Sequence, residues 1–314
     1  MIAVTIVDGA VEPAEHPDPV AAAGELLVRV RAAGINGADI LQRKGAYPPP
    51  PGYPEDIPGL EFAGEVIAIG AGVTRFCVGD RVMTITGGGG QAELAVVHDA
   101  VALSVPESVD WAAAGGFAEA FLTAHDAIFG QATLRPGERL LVNGAAGGVG
   151  TAAIQLAKLT GAHVTASVRD DSKHEAVKAL GADQVLSPDD VAGGGPYDVV
   201  LELVGAPNVN PALKALNTGG RIVVIGVGAG FKSEVNLLLL MNRRAVLRGS
   251  TLRARPLEEK AAVSRAVERE VLPALAAGRI TVPIVETLPL TEVAAAYERF
   301  TAGGKFGKIV LTID

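Results

Sequence analysis

The sequence predicts an α/β protein of two domains, one a doubly wound parallel sheet and the other smaller, β-rich and barrel-like. Three observations carry this prediction. Residues 138–158, ERLLVNGAAGGVGTAAIQLAK, read as a buried strand, a glycine turn and a helix. From there to residue 225, apolar runs of strand length alternate with helical patterns, which implies a parallel sheet covered by helices. Residues 1 to about 115 instead hold short strand candidates separated by Gly, Pro and Asp, as in a β-rich domain with a partly open barrel.

In the first region Leu26 to Arg31 alternates apolar and basic residues, as a half-exposed strand does. Glu65–Ile69, Arg81–Ile85 and Glu93–Val97 are further short strands. The segment from Arg43 to Pro58 contains four consecutive prolines, Pro48 to Pro51, and is a stiff, extended loop. It is either a rigid surface loop or a functional one, since long loops in compact domains are often functional. Ala112 to Ile128 reads as an alanine-rich helix, and Pro136 and Gly137 turn the chain into the next strand.

Leu140, Leu141 and Val142 form an unbroken apolar run, the pattern of a strand buried on both faces. The turn from Gly144 to Gly150 precedes a helix with Ala152, Ala153, Leu156, Ala157 and Leu159 at helical spacing. In this context glycines let the backbone approach a dinucleotide pyrophosphate, and the helix N-terminus faces its charge, as in a Rossmann domain. The usual glycines fall at 145, 147 and 150, where this chain has Ala145, Gly147 and Gly150. The alternative is a tight structural turn.

The second strand, Ala162 to Val168, ends about 20 residues past the glycine turn, where a carboxylate would hold the adenosine ribose of NAD. Val168 and Arg169 stand there, with Lys173 close behind. A guanidinium in place of a carboxylate fits a 2′-phosphate and hence NADPH. The alternatives are that Arg169 and Lys173 are solvated charges, while Asp170 and Asp171 cap the next helix. Helices over 172–180 and 208–216 and strands over 183–186, 198–203 and 220–225 complete the alternation. Leu237–Met241 and Val246–Gly249 supply a last helix and an edge strand. Pro256 to Ala277 reads as one long amphipathic helix, and Ile284–Leu288 and Ile309–Ile313 are strands that rejoin the first domain.

The 314 residues suffice for two domains with a large core. The net charge of −8 opposes a general affinity for nucleic acid or anionic membranes. One cysteine, Cys77, excludes an internal disulfide and any multi-cysteine zinc site. No apolar run approaches the ~18 residues of a membrane span, and no signal-like leader opens the chain, so a cytoplasmic protein is expected. His98, His125, His163 and His174 lack metal-ligand spacing.

Taken together, AAGINGAD (32–39), QRKGAYPPPPG (42–52), PGLEFAGEV (58–66), VGDRV (78–82), GGGGQAEL (87–94) and AEAFLTA (118–124) resemble the zinc-free quinone oxidoreductase branch of the medium-chain dehydrogenase/reductase superfamily. AAGGVGTAAIQLAK (145–158), GSTLRAR (249–255) and GKIVL (307–311) extend the resemblance to the chain's end. The proline loop and the LTA segment look most like the p53-inducible quinone oxidoreductase group. The resemblance implies a GroES-like domain from residues 1–116 and 253–314 and a Rossmann dinucleotide-binding domain at 117–252. It also implies that zinc relatives carry a cysteine where Asn36 stands and a histidine at Leu60 or Glu61, so no metal is expected.

By resemblance, Asn36 and Thr123 approach the nicotinamide and Tyr47 lies near cofactor and substrate, which makes these three the catalytic candidates. Ala146, Gly147, Gly148 and Val149 bind the pyrophosphate, and Arg169 and Lys173 the 2′-phosphate. Val204, Gly226, Val227 and Leu252 edge the cofactor, and Lys305 is a further candidate. Asn36 is otherwise a turn residue, Thr123 a helix residue bonded to its own backbone, and Tyr47 a cover for the prolines. Glu61 fits a packing or supporting role better than acid catalysis. The implied activity is NADPH-dependent hydride transfer to a quinone, with protons drawn from solvent. The alternatives are NADPH-dependent reduction of an enone C=C bond, or a non-catalytic NADPH-binding protein of crystallin or RNA-binding type. The expected partner is a small molecule, and the expected assembly is a homodimer paired through the Val246–Gly249 edge.

Overall fold

A computed structural model describes all of residues 1–314. The chain divides into two compact units, Met1–Leu122 with Leu252–Asp314, and Thr123–Thr251.

The first unit opens with a hairpin, β1 (Ile2–Val7) and β2 (Ala10–Glu15). Asp8 and Gly9 both take positive φ in its two-residue turn, a geometry for which Asp-Gly is well suited. Strand β3 (Glu25–Gly34) buries Leu26, Val28, Val30 and Ala32 completely, in the alternation that the sequence displays. Helix α1 (Gly37–Arg43) follows, a short element with no apolar periodicity to announce it. Then come β4 (Glu61–Ile69), β5 (Arg81–Ile85), β6 (Leu94–His98) and β7 (Leu103–Ser104). The single helix expected over Ala112–Ile128 is two, α2 (Trp111–Gly115) and α3 (Ala118–His125), with Gly115 and Gly116 at the break. A π-helical turn, Asp126–Gln131, continues beyond α3.

In the second unit β8 (Arg139–Asn143), α4 (Gly148–Leu159), β9 (His163–Ser167), α5 (His174–Ala179) and β10 (Gln184–Leu186) form the first half. After the single turn α6 (Val191–Gly194), β11 (Tyr197–Glu202), α7 (Val209–Lys214), β12 (Leu216–Val224), α8 (Leu237–Arg243) and β13 (Val246–Gly249) form the second. The strands are parallel in the order β10-β9-β8-β11-β12-β13. This is a Rossmann sheet whose order reverses between β8 and β11, and ligands of such sheets bind where the order reverses. Leu140, Leu141 and Val142 are fully buried, as their unbroken run requires.

The chain returns to the first unit through α9 (Leu257–Glu270) and α10 (Leu272–Ala276). The one long helix expected from Pro256 to Ala277 is thus broken near Val271, where Pro273 has no N–H to continue the ladder. Strand β14 (Ile284–Pro289), helix α11 (Val293–Thr301) and strand β15 (Lys308–Thr312) finish the chain. The sheet runs β14-β15-β3-β4-β5-β7, and β6 shares the β15 edge of β3. Phe62, Leu26, Ile309, Leu311 and Tyr297 lie in its core. Pairing β15 with β3 sets Lys308, at the start of β15, close to the chain after Gly34.

Candidate functional site

In the first unit five short segments deliver charged side chains to one buried cluster. Asn36 precedes α1, but its side chain leaves the helix end. Its Nδ2 donates to Glu61 Oε1 at 3.0 Å, and its Oδ1 accepts from Lys308 Nζ at 2.6 Å. Lys308 Nζ also donates to Glu61 Oε1 at 2.5 Å and to the Ile35 carbonyl at 3.3 Å, so all three ammonium donors are used. The pair is 4% and 0% exposed. Desolvating two charges this far is repaid only when the remaining hydrogen-bonding capacity is filled, and here it is. Glu61 Oε2 accepts the backbone N–H of Glu119, in the first turn of α3, at 2.8 Å. The cation bound by Asn36 and Glu61 is therefore the chain's own ammonium. Leu60 beside them is apolar and buried, Cys77 is exposed, and no three His, Cys, Asp or Glu side chains are grouped to hold a metal. These residues do not fit a zinc site.

Asp39 is fully buried behind the cluster. It accepts N–H bonds from Asn36 at 2.7 Å and Gly59 at 3.1 Å, with the Gln91 amide at 3.5 Å. Burial nevertheless pushes its carboxyl up to about 7. Gln91 in turn accepts from the Tyr297 hydroxyl at 2.8 Å. Arg253 ties the proline loop down: its guanidinium donates to the carbonyls of Gly87 and Tyr47 and to Gln42 Oε1, at 2.8, 2.9 and 2.5 Å. It also lies 5.0 Å from the centre of the Tyr47 ring. Burial raises the Tyr47 hydroxyl above the usual phenol range. Asn36 and Tyr47 thus flank α1, Asn36 at its start and Tyr47 just past its end. Lys305, by contrast, lies over the Phe300 ring at 3.6 Å. Burial, with Lys308 and Arg299 adding positive charge, lowers it to about 8. Leu252 is buried, 5% exposed.

In the second unit the glycine turn joins β8 to α4. Gly144 takes φ +77°, and Gly147 is the helix N-cap. A Cβ on Gly150 would lie 2.6 Å from the Ala145 Cα, so only glycine lets helix and turn pack this closely. Ala145 is completely buried under the helix, and the positive φ falls one residue earlier than the usual fingerprint suggests. Ala146, Gly147, Gly148 and Val149 are part-exposed at the start of α4, where the unpaired first-turn amides suit an anion.

At the reversal point Glu202, fully buried at the end of β11, accepts the N–H groups of Val204 and Gly205, each at 2.7 Å, and the Asn143 amide at 2.7 Å. This carboxylate fixes the loop after β11 and joins it to the end of β8. The ideal Cβ direction of Gly144 meets Val204 at 3.1 Å, and that of Gly226 meets the Leu203 carbonyl at 2.2 Å. Val204 therefore crowds the glycine turn, Gly226 packs against Leu203 in the loop after β11, and Val227, next to Gly226, is 40% exposed. Thr123 is buried, 7% exposed, on α3. After β9, Val168 is buried and Arg169 is exposed with no acidic partner. Lys173 lies 3.8 Å from Asp170, and Asp170 accepts the Ser172 N–H, so that carboxylate is occupied with capping.

Sequence reasoning passed over Lys308, Glu119, Asp39, Arg253, Asn143 and Glu202. All but Arg253 are polar residues inside or at the end of an apolar stretch, for instance Phe117-Ala118-Glu119-Ala120-Phe121 or Lys308-Ile309-Val310. That is the one local signal they carry.

One unit thus carries a dinucleotide-type turn, and the other, β-rich, carries a buried ionic cluster. Residues 22–129 match the family model described as alcohol dehydrogenase GroES-like domain, and residues 148–268 match zinc-binding dehydrogenase. The quinone oxidoreductase of Lama guanicoe is 31% identical over 306 residues, covering 94% of this chain and 91% of that one. Polyketide synthase GfsB of Streptomyces halstedii is 39% identical over 208 residues, 65% of this chain but 4% of that far longer protein. The crystal structure of an NAD-dependent alcohol dehydrogenase superposes with a TM-score of 0.87 at 29% identity, covering 100% of both chains. The chain belongs to the medium-chain dehydrogenase/reductase superfamily. Within it, the chain falls in the quinone oxidoreductase branch, and it is an oxidoreductase.

Proposed function

We propose that the protein is an NADPH-dependent, zinc-independent quinone oxidoreductase. The observation that carries the cofactor choice is Arg169: an exposed guanidinium without an acidic partner at the end of β9, where a ribose-binding carboxylate would stand in an NAD enzyme. The amides at the start of α4 hold the pyrophosphate, and Lys173 supports Arg169 at the 2′-phosphate. Bound there, the nicotinamide supplies the hydride.

The chain's own contribution is positioning. Lys308 and Glu61 fix both ends of the Asn36 amide in one orientation before substrate arrives, and Arg253 holds the Tyr47 backbone carbonyl and lies over its ring. With no Lewis-acid metal to polarise a simple carbonyl, the protein suits acceptors that already take hydride readily, such as quinones. A second reading, reduction of an enone C=C bond, is favoured by the carboxyls of the cluster, because the carbanion left by hydride addition needs an acid nearby. A steady-state screen of ortho-quinones, para-quinones and enones with NADPH and NADH tests both. Turnover with NADH alone, or with none of these acceptors, would overturn the proposal.

A further inference from the structure

The cluster of the first unit contains three carboxyls, Asp39, Glu61 and Glu119, and two cations, Lys308 and Arg253. A buried carboxylate without compensation retains a proton instead. The charges therefore leave one carboxyl in excess, and the hydrogen bonds show which one. Glu61 accepts donors on both oxygens: Lys308 and Asn36 on one, the Glu119 N–H on the other. Asp39 accepts two backbone N–H groups, one on each oxygen. The Glu119 carboxyl accepts none, and its own backbone N–H holds it beside the negative Glu61. Asp39 and Glu61 are wholly enclosed, whereas Glu119 is part-exposed. It is the one carboxyl of the three that is both uncommitted and reachable.

We propose that Glu119 is the acid that protonates the reduced acceptor. The inference rests on the reading of the protein as a nicotinamide-dependent reductase. An acceptor that has taken a hydride carries a new electron pair, on a quinone oxygen or on the carbon next to an enone carbonyl. The Glu119 O–H bond breaks, an O–H or C–H bond forms on the acceptor, and Glu119 is left as a carboxylate. A proton from solvent water restores it, and no further oxidant or reductant takes part.

The surroundings match this role. Burial and the charge of Glu61 push the Glu119 carboxyl up to about 8, Asp39 adds to the rise, and Lys308 and Arg253 oppose it. The Tyr47 hydroxyl, from the proline loop, is the remaining titratable group that faces it. At neutral pH Glu119 thus holds its proton, yet lies close enough to neutrality to be recharged within a catalytic cycle.

The test begins on the cofactor-free full chain. Infrared spectra across a pH titration should show two protonated-carboxyl components, one from Asp39 lost near 7 and one from Glu119 lost with a midpoint near 8. The component near 8 should be missing in Glu119→Gln, which keeps that of Asp39, and present with a shifted midpoint in Glu119→Asp. In turnover with an enone, Glu119→Gln should lower kcat by about 10²- to 10⁴-fold with NADPH affinity unchanged, and Glu119→Asp should recover part of the loss. A wild-type spectrum without the component near 8 overturns the inference even if the variants do not fold. So does a Glu119→Gln enzyme that retains the wild-type kcat and pH profile. Because the spectra need no cofactor, a failure of the reductase reading shows itself separately, as absence of NADPH oxidation by every acceptor.

Discussion

The cofactor proposal turns on one side chain, and Arg169→Ala tests it. The Arg169 guanidinium is exposed and has no acidic partner within the chain, so its removal breaks no internal ion pair and should leave the fold intact. A hydrogen bond to a charged group is worth roughly 1.5–3 kcal/mol, about a 10- to 150-fold change in affinity. Exposure and salt screening place this contact at the lower end of that range. Lys173 does not replace it fully, since Asp170 lies 3.8 Å from its ammonium. NADPH should therefore bind roughly tenfold more weakly at physiological salt, with a larger loss at low ionic strength. NADH has no phosphate there, and its affinity should hardly change. Arg169→Asp should go further, repelling the phosphate and offering an acceptor to the ribose hydroxyls. Val168 is a poor place for that carboxylate, because it is 3% exposed and an Asp there would be buried. Fluorescence titration of both cofactors into wild type and both variants measures the dissociation constants. Equal losses for NADPH and NADH would show that Arg169 is structural and would remove the main support for NADPH.

Further outcomes follow from other parts of the molecule. Exhaustive chelation should leave NADPH-dependent quinone reduction unchanged, because Leu60 and the Lys308-bound Asn36 and Glu61 offer zinc no ligand set; loss of activity restored by zinc alone would refute this. Lys308→Met should destabilise the protein by roughly 3–5 kcal/mol, since it leaves Glu61 buried and unpaired, and Lys308→Met with Glu61→Leu should recover much of the loss. Denaturant midpoints of the wild type and the two variants decide that. The protein should be a homodimer, because β13 is an exposed sheet edge beside exposed Leu237, Leu238 and Met241; light scattering at the 32.0 kDa chain mass would count against it. Unfolding free energy should fall as pH rises from about 4.5 to about 8, as Asp39 and Glu119 have folded values of about 7 and about 8 against ordinary values of 3.8 and 4.5. In that window the folded state holds protons that the unfolded state has released, so stability is lost as pH rises through the folded values. Urea titrations at several pH values measure the slope, and a flat profile would contradict the buried, proton-holding state of these carboxyls.

What the sequence made legible was local. The run Leu140 to Val142 and the turn Gly144 to Gly150 carry their conformations in neighbouring residues, so strand, turn and helix could be read in place. Misreadings arose where one residue interrupts a continuous pattern. Pro273 divides an amphipathic stretch whose periodicity runs on past it, and Gly115–Gly116 divides an alanine-rich one. The β1–β2 hairpin was hidden because β2 is mostly polar, with Glu12, Pro13 and Glu15, although Asp8-Gly9 is a turn signal by itself.

The ionic cluster is illegible for a different reason. Lys308 and Glu61 are 247 residues apart, and Arg253 meets Gln42 across 211. No spacing rule links such positions; Lys308 and Glu61 meet because β15 pairs with β3 and β3 with β4, and that pairing is a property of the whole sheet. What the sequence does display is a cost: a lysine heading Ile309-Val310-Leu311 and a glutamate between Leu60 and Phe62 would each be buried alone if their strands were placed independently. Each cost vanishes only if the other charge arrives at the same place. Lone charges in apolar runs of one chain are therefore best read as halves of a pair. In this protein that reading would have brought Glu61 and Lys308 together, and with them the side chain of Asn36.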